Sequence, residues 1–184
     1  CMIKIEPIPA YSDNYIWCMY DEMTRKAVVV DPGDASPVTR FLATNKLELL
    51  AILITHHHFD HTGGVEALLD NSPVPVYGPC NACIASITDQ LKEGDQLKLL
   101  GLSFSVLSIP GHTLDHIAFY CADRSRGPVV FCGDTLFAGG CGRVFEGDPA
   151  MMLEMLTEVR VVVEPPCIRL GDDQVARAQR EKRL

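Results

Sequence analysis

All six histidines of this chain lie in two short stretches. Residues 55–61 read Thr-His-His-His-Phe-Asp-His, and residues 110–116 read Pro-Gly-His-Thr-Leu-Asp-His. Imidazoles grouped with carboxylates are the donors that zinc and other first-row transition cations prefer. A protein that used histidine for packing or solubility would scatter it along the chain. The clustering therefore predicts a transition-metal site.

The spacing of the first stretch suits two neighbouring cations. His56 and His58 are two residues apart, so on an extended segment their side chains point the same way and can bind one cation. Asp60 and His61 follow in a turn and can bind a second cation. The carboxylate of Asp134 is the natural bridge between the two. Two cations about 3.5–4 Å apart can hold a hydroxide between them and polarise a carbonyl. They lower the pKa of water towards ~7, so a nucleophile exists at neutral pH without a protein general base.

The second stretch supplies one more candidate ligand. His112 is expected to join the first group of donors. Asp115 and His116 are expected to pack beside the ligands or to orient them through hydrogen bonds. His57 should point away from the first cation, and we expect it either to have a structural role or to support the ligands from behind.

The elements around these stretches predict a mixed α/β fold. A continuously apolar strand at 50–54 runs directly into the first histidine stretch, and another apolar strand at 129–132 ends at Gly133-Asp134. The carboxyl ends of buried strands are where α/β sheets place chemistry. The remaining strands are predicted at 14–20, 26–31 and 117–121 and within a strand-rich stretch at 95–109 that ends in 104–109, and the helices at 37–46, 63–70 and 149–159.

Composition excludes several classes of function. The chain has 184 residues and a net charge of −8, so nucleic acid is not an expected partner. No apolar run approaches about 18 residues, and no secretory signal is visible, so we expect no membrane association. The eight cysteines show no disulfide framework. We expect reduced thiols and a cytoplasmic location, with Cys80 and Cys83 in an ordinary loop.

Beyond these patterns, the chain resembles a known family. Residues 55–64 resemble the T-H-x-H-x-D-H signature of the metallo-β-lactamase superfamily. More narrowly, the chain is similar to glyoxalase II, the hydroxyacylglutathione hydrolases, over roughly residues 2–158. The segments that carry the narrower resemblance are 13–17 (Asp-Asn-Tyr-Ile-Trp), 30–34, 110–113, 131–137 and 139–147, the last reading Gly-Gly-Cys-Gly-Arg-Val-Phe-Glu-Gly.

The resemblance implies a fold and a set of site residues. The fold is a four-layer αββα sandwich of the α/β (α+β) class, truncated at its C-terminal end. Residues 1–160 would form the catalytic domain, and residues 161–184 a remnant of the helical glutathione-binding region. The implied metal ligands are His56, His58, Asp60, His61, His112 and Asp134, of which Asp60 and Asp134 are also catalytic. The implied substrate-binding residues are Cys141, Arg143 and Phe145.

The implied activity is metal-dependent hydrolysis of an S-(2-hydroxyacyl)glutathione thioester to glutathione and a 2-hydroxy acid. For the usual substrate the acid is D-lactate, a step in methylglyoxal detoxification. Zinc is the expected cofactor, with iron or manganese as alternatives. The leaving thiolate has a conjugate acid with a pKa near ~8.5, so the reaction does not require a strong general acid.

The sequence departs from the family after the predicted 149–159 helix. Family members continue with a Gly-His-Glu-Tyr-like segment whose histidine completes the second cation site, and this chain has no histidine after His116. We therefore expect an internal deletion, one tightly held cation and a weak second site. The missing helices would expose apolar surface; we expect a monomer, with association through that surface as the alternative.

Two other functions stay open. A mononuclear iron dioxygenase acting on glutathione persulfide shares the fold and needs two histidines and one carboxylate, which His56, His112 and Asp134 would supply. The other is an inactive metal-binding isoform or pseudoenzyme. Its hallmark would be cation binding without turnover of the thioester.

Overall fold

The computed structural model describes residues 2–81, 83–122, 127–137 and 140–162, with side chains described as far as 157. Within these residues the chain forms two β-sheets and four helices. The strands are β1 (Ile3–Ala10), β2 (Asn14–Asp21), β3 (Lys26–Val30), β4 (Glu48–Leu53), β5 (Val76–Pro79), β6 (Asp89–Leu91), β7 (Gln96–Leu99), β8 (Leu102–Ser108), β9 (Ile117–Cys121) and β10 (Val129–Phe131). The helices are α1 (Ala35–Asn45), α2 (Phe59–Thr62), α3 (Val65–Asn71) and α4 (Pro149–Val162).

The first sheet brings the ends of β3 and β4 together. Its strand order is β1-β2-β3-β4-β5-β6, antiparallel from β1 to β3 and parallel from β3 to β6. Val30 pairs with Leu53, so the residues that follow both strands leave the sheet side by side. The first histidine stretch therefore begins next to the loop that follows β3.

The second sheet is antiparallel throughout, with the order β10-β9-β8-β7. The second histidine stretch connects β8 to β9, and Asp134 follows β10. The two sheets meet at the site, because the N–H of Ile117 donates to the carbonyl of Thr55 over 2.9 Å.

Three apolar cores define four layers. Side chains of α1 and α3, such as Val38 and Leu68, pack on one face of the first sheet. Val28 and Leu53 on its other face pack against Phe104 and similar residues of the second sheet. Met155 of α4 joins a third cluster on the outer face of the second sheet. The predicted αββα sandwich is confirmed.

Several elements differ from the sequence prediction. Four strands, β1, β5, β6 and β7, were not separately predicted; β1 contains Pro7 and Pro9, which are tolerated because β1 is an edge strand. The turn expected at Asp60 is the short helix α2, and α3 begins after Gly64. Residues 163–184, and with them most of the predicted 161–184 remnant and the expected deletion, lie outside the described residues. None of the described helices is long and apolar enough to cross a bilayer.

Candidate metal centre

Three imidazoles form the first donor group. His58 Nδ1 lies 2.9 Å from His112 Nε2 and 3.2 Å from His56 Nε2. The ligand nitrogens of a tetrahedral zinc ion, bound at about 2.0–2.1 Å, lie about 3.3 Å apart, so the observed spacing is close to that of a bound cation. His56 and His112 are buried, and His58 is partly exposed.

The electrostatics of the first group favour neutral imidazole rings, which can bind a cation, over protonated ones. Burial, together with the neighbouring histidines, lowers the pKa of His56 and of His58. Neutral imidazoles carry a free nitrogen lone pair, which is the form that binds a metal. A proton on His58 Nδ1 could be shared between the other two nitrogens, whereas a cation between the three would take a lone pair from each.

The second donor group lies directly beside the first. His61 Nε2 is 3.2 Å from Asp134 Oδ1 and 3.6 Å from Asp60 Oδ2. The other oxygen of Asp134 is 3.4 Å from His112 Nε2, so this carboxylate faces both groups. Burial opposes ionisation of Asp134, but the His61 imidazole outweighs it and lowers the pKa of the carboxyl.

His61 is held between two carboxylates without satisfying either of its ring nitrogens. Nδ1 lies 3.1 Å from Asp31 Oδ2, yet both nitrogens are buried and lack an aligned hydrogen-bond partner. Burial opposes protonation, but the charges of Asp31 and Asp134 outweigh it and raise the pKa of His61 to about 10. A buried ring nitrogen without an aligned partner, beside the carboxylates of Asp60 and Asp134, suits a cation that would take the place of the proton on that nitrogen.

Asp31 is a site residue that sequence reasoning quoted only as part of a motif. Its carboxylate accepts hydrogen bonds from the backbone N–H and the hydroxyl of Thr55, over 2.8 and 2.7 Å. The same carboxylate faces Nδ1 of His61, so Nε2 of that ring faces Asp134. Its place directly after β3, parallel to and paired with β4, is the sequence signal that would have identified it.

Asn14 is a second residue of this kind. Its side-chain amide donates to Asp60 Oδ2 over 2.8 Å, which orients the carboxylate from the start of β2. The signal was its position in the Asp-Asn-Tyr-Ile-Trp segment, whose polar members interrupt an otherwise apolar strand start.

The remaining residues of the two histidine stretches lie around the donors. His116 stacks on His56, with ring centroids 4.5 Å apart, and burial lowers its pKa to about 4. Asp115 Oδ1 lies 2.9 Å from His57, which points away from the first donor group as expected. Of the two expected roles, His116 therefore has the packing one, while Asp115 is directed towards His57; among the described residues neither makes a hydrogen bond to a ligand side chain.

The residues expected to bind substrate lie on one segment beside the donors, residues 141–147, which we call the rim segment. Its Phe145 is exposed, with its ring centroid 5.3 Å from those of both His58 and His112. The guanidinium carbon of Arg143 is 5.9 Å from the centroid of Phe145, and Cys141 is an exposed free thiol. The carbonyl of Arg143 is 2.6 Å from His112 Nδ1, which accounts for the orientation of that ring.

A search against protein-family models matches the metallo-β-lactamase superfamily over residues 17–81 and 84–167. Among curated proteins, the chain is 57% identical over 159 residues to a hydroxyacylglutathione hydrolase from Hahella chejuensis, covering 86% of this chain and 61% of that protein. A hydroxyacylglutathione hydrolase from Pseudomonas putida F1 is 49% identical, with 91% and 64% covered. The chain spans about three-fifths of the length of these relatives.

Solved structures give the same fold. ETHE1 from Myxococcus xanthus aligns with a TM-score of 0.73 at 32% identity, over 89% of this chain and 72% of that chain. A protein described as TTHA1623 in a di-iron-bound form aligns with a TM-score of 0.68 at 30% identity, over 85% and 86%.

Proposed function

Since the chain belongs to the metallo-β-lactamase superfamily, we propose that it is a metal-dependent thioester hydrolase. The proposed substrate is an S-(2-hydroxyacyl)glutathione, and the products are glutathione and a 2-hydroxy acid. The observation that carries the proposal is a pair of adjacent donor groups that share Asp134 and open towards the rim segment. The names of the relatives at about 50% identity support the thioester as substrate.

The proposal assigns His56, His58 and His112 to one cation, Asp60 and His61 to a second, and Asp134 to both. Bound divalent cations would polarise the thioester carbonyl and lower the pKa of water towards ~7. Nitrogen-rich donors with carboxylates fit zinc. Iron and manganese stay alternatives, and the di-iron form of the TTHA1623 protein supports the first of them.

The residues of the chain itself would position the donors and the substrate. Asp31 and the carbonyl of Arg143 fix which nitrogen of His61 and of His112 faces inward. The guanidinium of Arg143 would attract the carboxylates of glutathione, and Phe145 would cover the apolar part of the thioester. Cys141 lies on the same rim segment, and we propose that it also contacts the substrate.

The second cation site is proposed to be the weaker one. Its donors within the described residues are Asp60, His61 and the shared Asp134. Loss of a partner that only orients a ligand already costs about 10–100-fold in affinity, and a missing ligand should cost at least as much. We expect one tightly held cation after dialysis and a second only with excess metal.

A second candidate is the mononuclear iron dioxygenase, because two histidines and a carboxylate of this centre lie close together. Its three ligands would be His56, His112 and Asp134. That assignment leaves Asp60 and His61 without a role, although both are assembled beside Asp134. Iron content together with oxygen uptake on a persulfide of glutathione would identify this activity.

The proposal is tested by hydrolysis of S-D-lactoylglutathione by the purified chain, loaded in parallel with zinc, iron or manganese. We expect turnover above that of the free metal, lost in Asp134→Ala. Cation binding without turnover would overturn the hydrolase and favour the metal-binding isoform. Sedimentation of the same preparation measures the oligomeric state, and we expect a monomer. We also propose a cytoplasmic location for the chain.

A further inference from the structure

His57 lies between two proposed ligands but makes its contacts on the opposite side of the chain. Its Nδ1 lies 2.9 Å from Asp115 Oδ1, and its Nε2 lies 3.3 Å from Glu146 Oε1. One imidazole therefore connects three parts of the centre: the first histidine stretch, the second histidine stretch and the rim segment. The His57 side chain is 23% exposed, so these contacts are largely shielded from solvent.

Asp115 is a fixed anchor for this imidazole. The Thr113 hydroxyl donates to Oδ1 over 2.6 Å, and the Asn81 amide donates to Oδ2 over 2.8 Å. Its side chain is 9% exposed. Because two neutral donors fix the carboxylate of Asp115, its hydrogen bond to His57 restrains the position of that ring.

Glu146 is the point at which the rim segment meets both histidine stretches. Its Oε2 accepts the N–H of Leu114 over 2.8 Å, while Oε1 faces His57. The neighbouring Phe145 lies against the rings of His58 and His112 and donates its N–H to the carbonyl of His112 over 3.1 Å. A displacement of Glu146 therefore displaces Phe145.

The three side chains do not suit a further cation. A cation among the three would take one nitrogen of His57, and Nδ1 is already hydrogen-bonded to Asp115 over 2.9 Å. Both oxygens of Asp115 already accept hydrogen bonds from neutral donors. The arrangement is that of a bridge, with a hydrogen bond from His57 to Asp115 and a close contact with Glu146.

We propose that His57 is a positioning residue that locks the ligand segment 56–58 to the rim segment through Asp115 and Glu146. The part of this inference that concerns substrate rests on the proposed function. Removing the bridge changes two things: the alignment of His56 and His58 towards their cation, and the position of Phe145 over the site.

The test is a double-mutant cycle on cation affinity, which requires no turnover. Co²⁺ is titrated into the metal-free chain, and its affinity and visible spectrum are compared among wild type, His57→Phe, Glu146→Gln and the double variant. Glutamine at 146 keeps an acceptor for Leu114 but loses the charge that faces His57. Asp70→Asn, on the exposed surface of α3, is the charge-matched control.

We expect His57→Phe to weaken Co²⁺ binding about tenfold and to shift the spectrum, as loss of a ligand-orienting partner does. Glu146→Gln should weaken it about threefold. The double variant should lose no more than His57→Phe alone, because Glu146 acts through His57. His57→Gln, which can still donate to Asp115, should recover part of the loss, and Asp70→Asn should change nothing.

A double variant about 30-fold weaker, the product of the single effects, would overturn the proposal. So would unchanged Co²⁺ binding in His57→Phe. With S-D-lactoylglutathione, His57→Phe should raise KM several-fold while kcat stays within about twofold. If the wild type binds Co²⁺ but hydrolyses no thioester, the proposed function fails, and the Co²⁺ cycle still decides whether His57 is the bridge.

Discussion

His112 is the residue on which both donor groups depend. Its Nε2 lies 2.9 Å from His58 Nδ1 and 3.4 Å from Asp134 Oδ2. We expect His112→Ala to lose the tightly held cation and the thioester hydrolysis together, because the remaining two imidazoles cannot enclose a cation. Elemental analysis after dialysis measures the first effect. A variant that keeps a full equivalent of zinc would contradict the assignment.

Two substitutions at Asp31 distinguish its contribution to stability from its contribution to cation binding. In Asp31→Ala, the buried N–H and hydroxyl of Thr55 lose their acceptor, which should cost about 1–3 kcal/mol of unfolding free energy. In Asp31→Asn, an amide oxygen still accepts from Thr55, but the charge facing His61 is gone. We expect Asp31→Asn to lose less stability than Asp31→Ala and to bind the second cation about 10–100-fold more weakly than the wild type. Urea unfolding and zinc titration check the pair, and equal second-cation affinity in Asp31→Asn and wild type would refute the role.

The loop after β10 depends on a close backbone approach at Gly142. A Cβ atom there would lie 2.0 Å from the carbonyl oxygen of Asp134 and 2.9 Å from His112 Nδ1. We expect Gly142→Ala to push both ligands apart and to weaken zinc binding at least tenfold. Gly101→Ala is the control, because a Cβ atom at that position would meet open space. Since Gly101 has a positive φ, this variant is expected to lose some stability but to keep the zinc affinity of the wild type. Unchanged zinc affinity in Gly142→Ala would contradict the packing argument.

The strand β2 makes stability fall at high pH. Burial, together with the hydrogen bond to Glu6, raises the pKa of Tyr20. Burial raises the pKa of Cys18 to about 12. Both groups hold their protons more tightly when folded, so their contribution is complete below the unfolded pKa values, about 8.5 for Cys and about 10 for Tyr, and is lost above them.

We therefore expect the unfolding free energy to decline between about pH 9 and pH 11, and to decline less steeply in Tyr20→Phe. Urea unfolding across that range measures the slope. The same slope in both proteins would show that Tyr20 does not contribute.

The proximity of the donor residues could be predicted from sequence more readily than the strands around them. The histidine stretches were recognisable because imidazole and carboxylate spacing is local, and the converging loops followed from apolar strands that end beside them. The short strands β5 and β6, with four and three residues, carry too little periodicity to be read alone. Asp31, Asn14 and the bridge through His57 depend on contacts between distant segments, which no local pattern encodes.

At the scale of the whole molecule, the centre joins loops from both sheets, so a bound cation should stabilise the entire fold. A ligand at about 100 times its Kd contributes about 2.7 kcal/mol, which for a chain of this size raises Tm by about 5–10 °C. We expect that shift when zinc is added to the metal-free chain, and its loss in His112→Ala. A Tm that does not respond to zinc in the wild type would mean that the loops are not joined by a cation.

The most direct test of the central claim is anomalous X-ray diffraction at the zinc edge from crystals of the zinc-loaded chain. The predicted result is a peak about 2.0–2.1 Å from His56 Nε2, His58 Nδ1 and His112 Nε2, on the side that Asp134 faces. Crystals that contain zinc but show no peak among these three nitrogens would contradict the account.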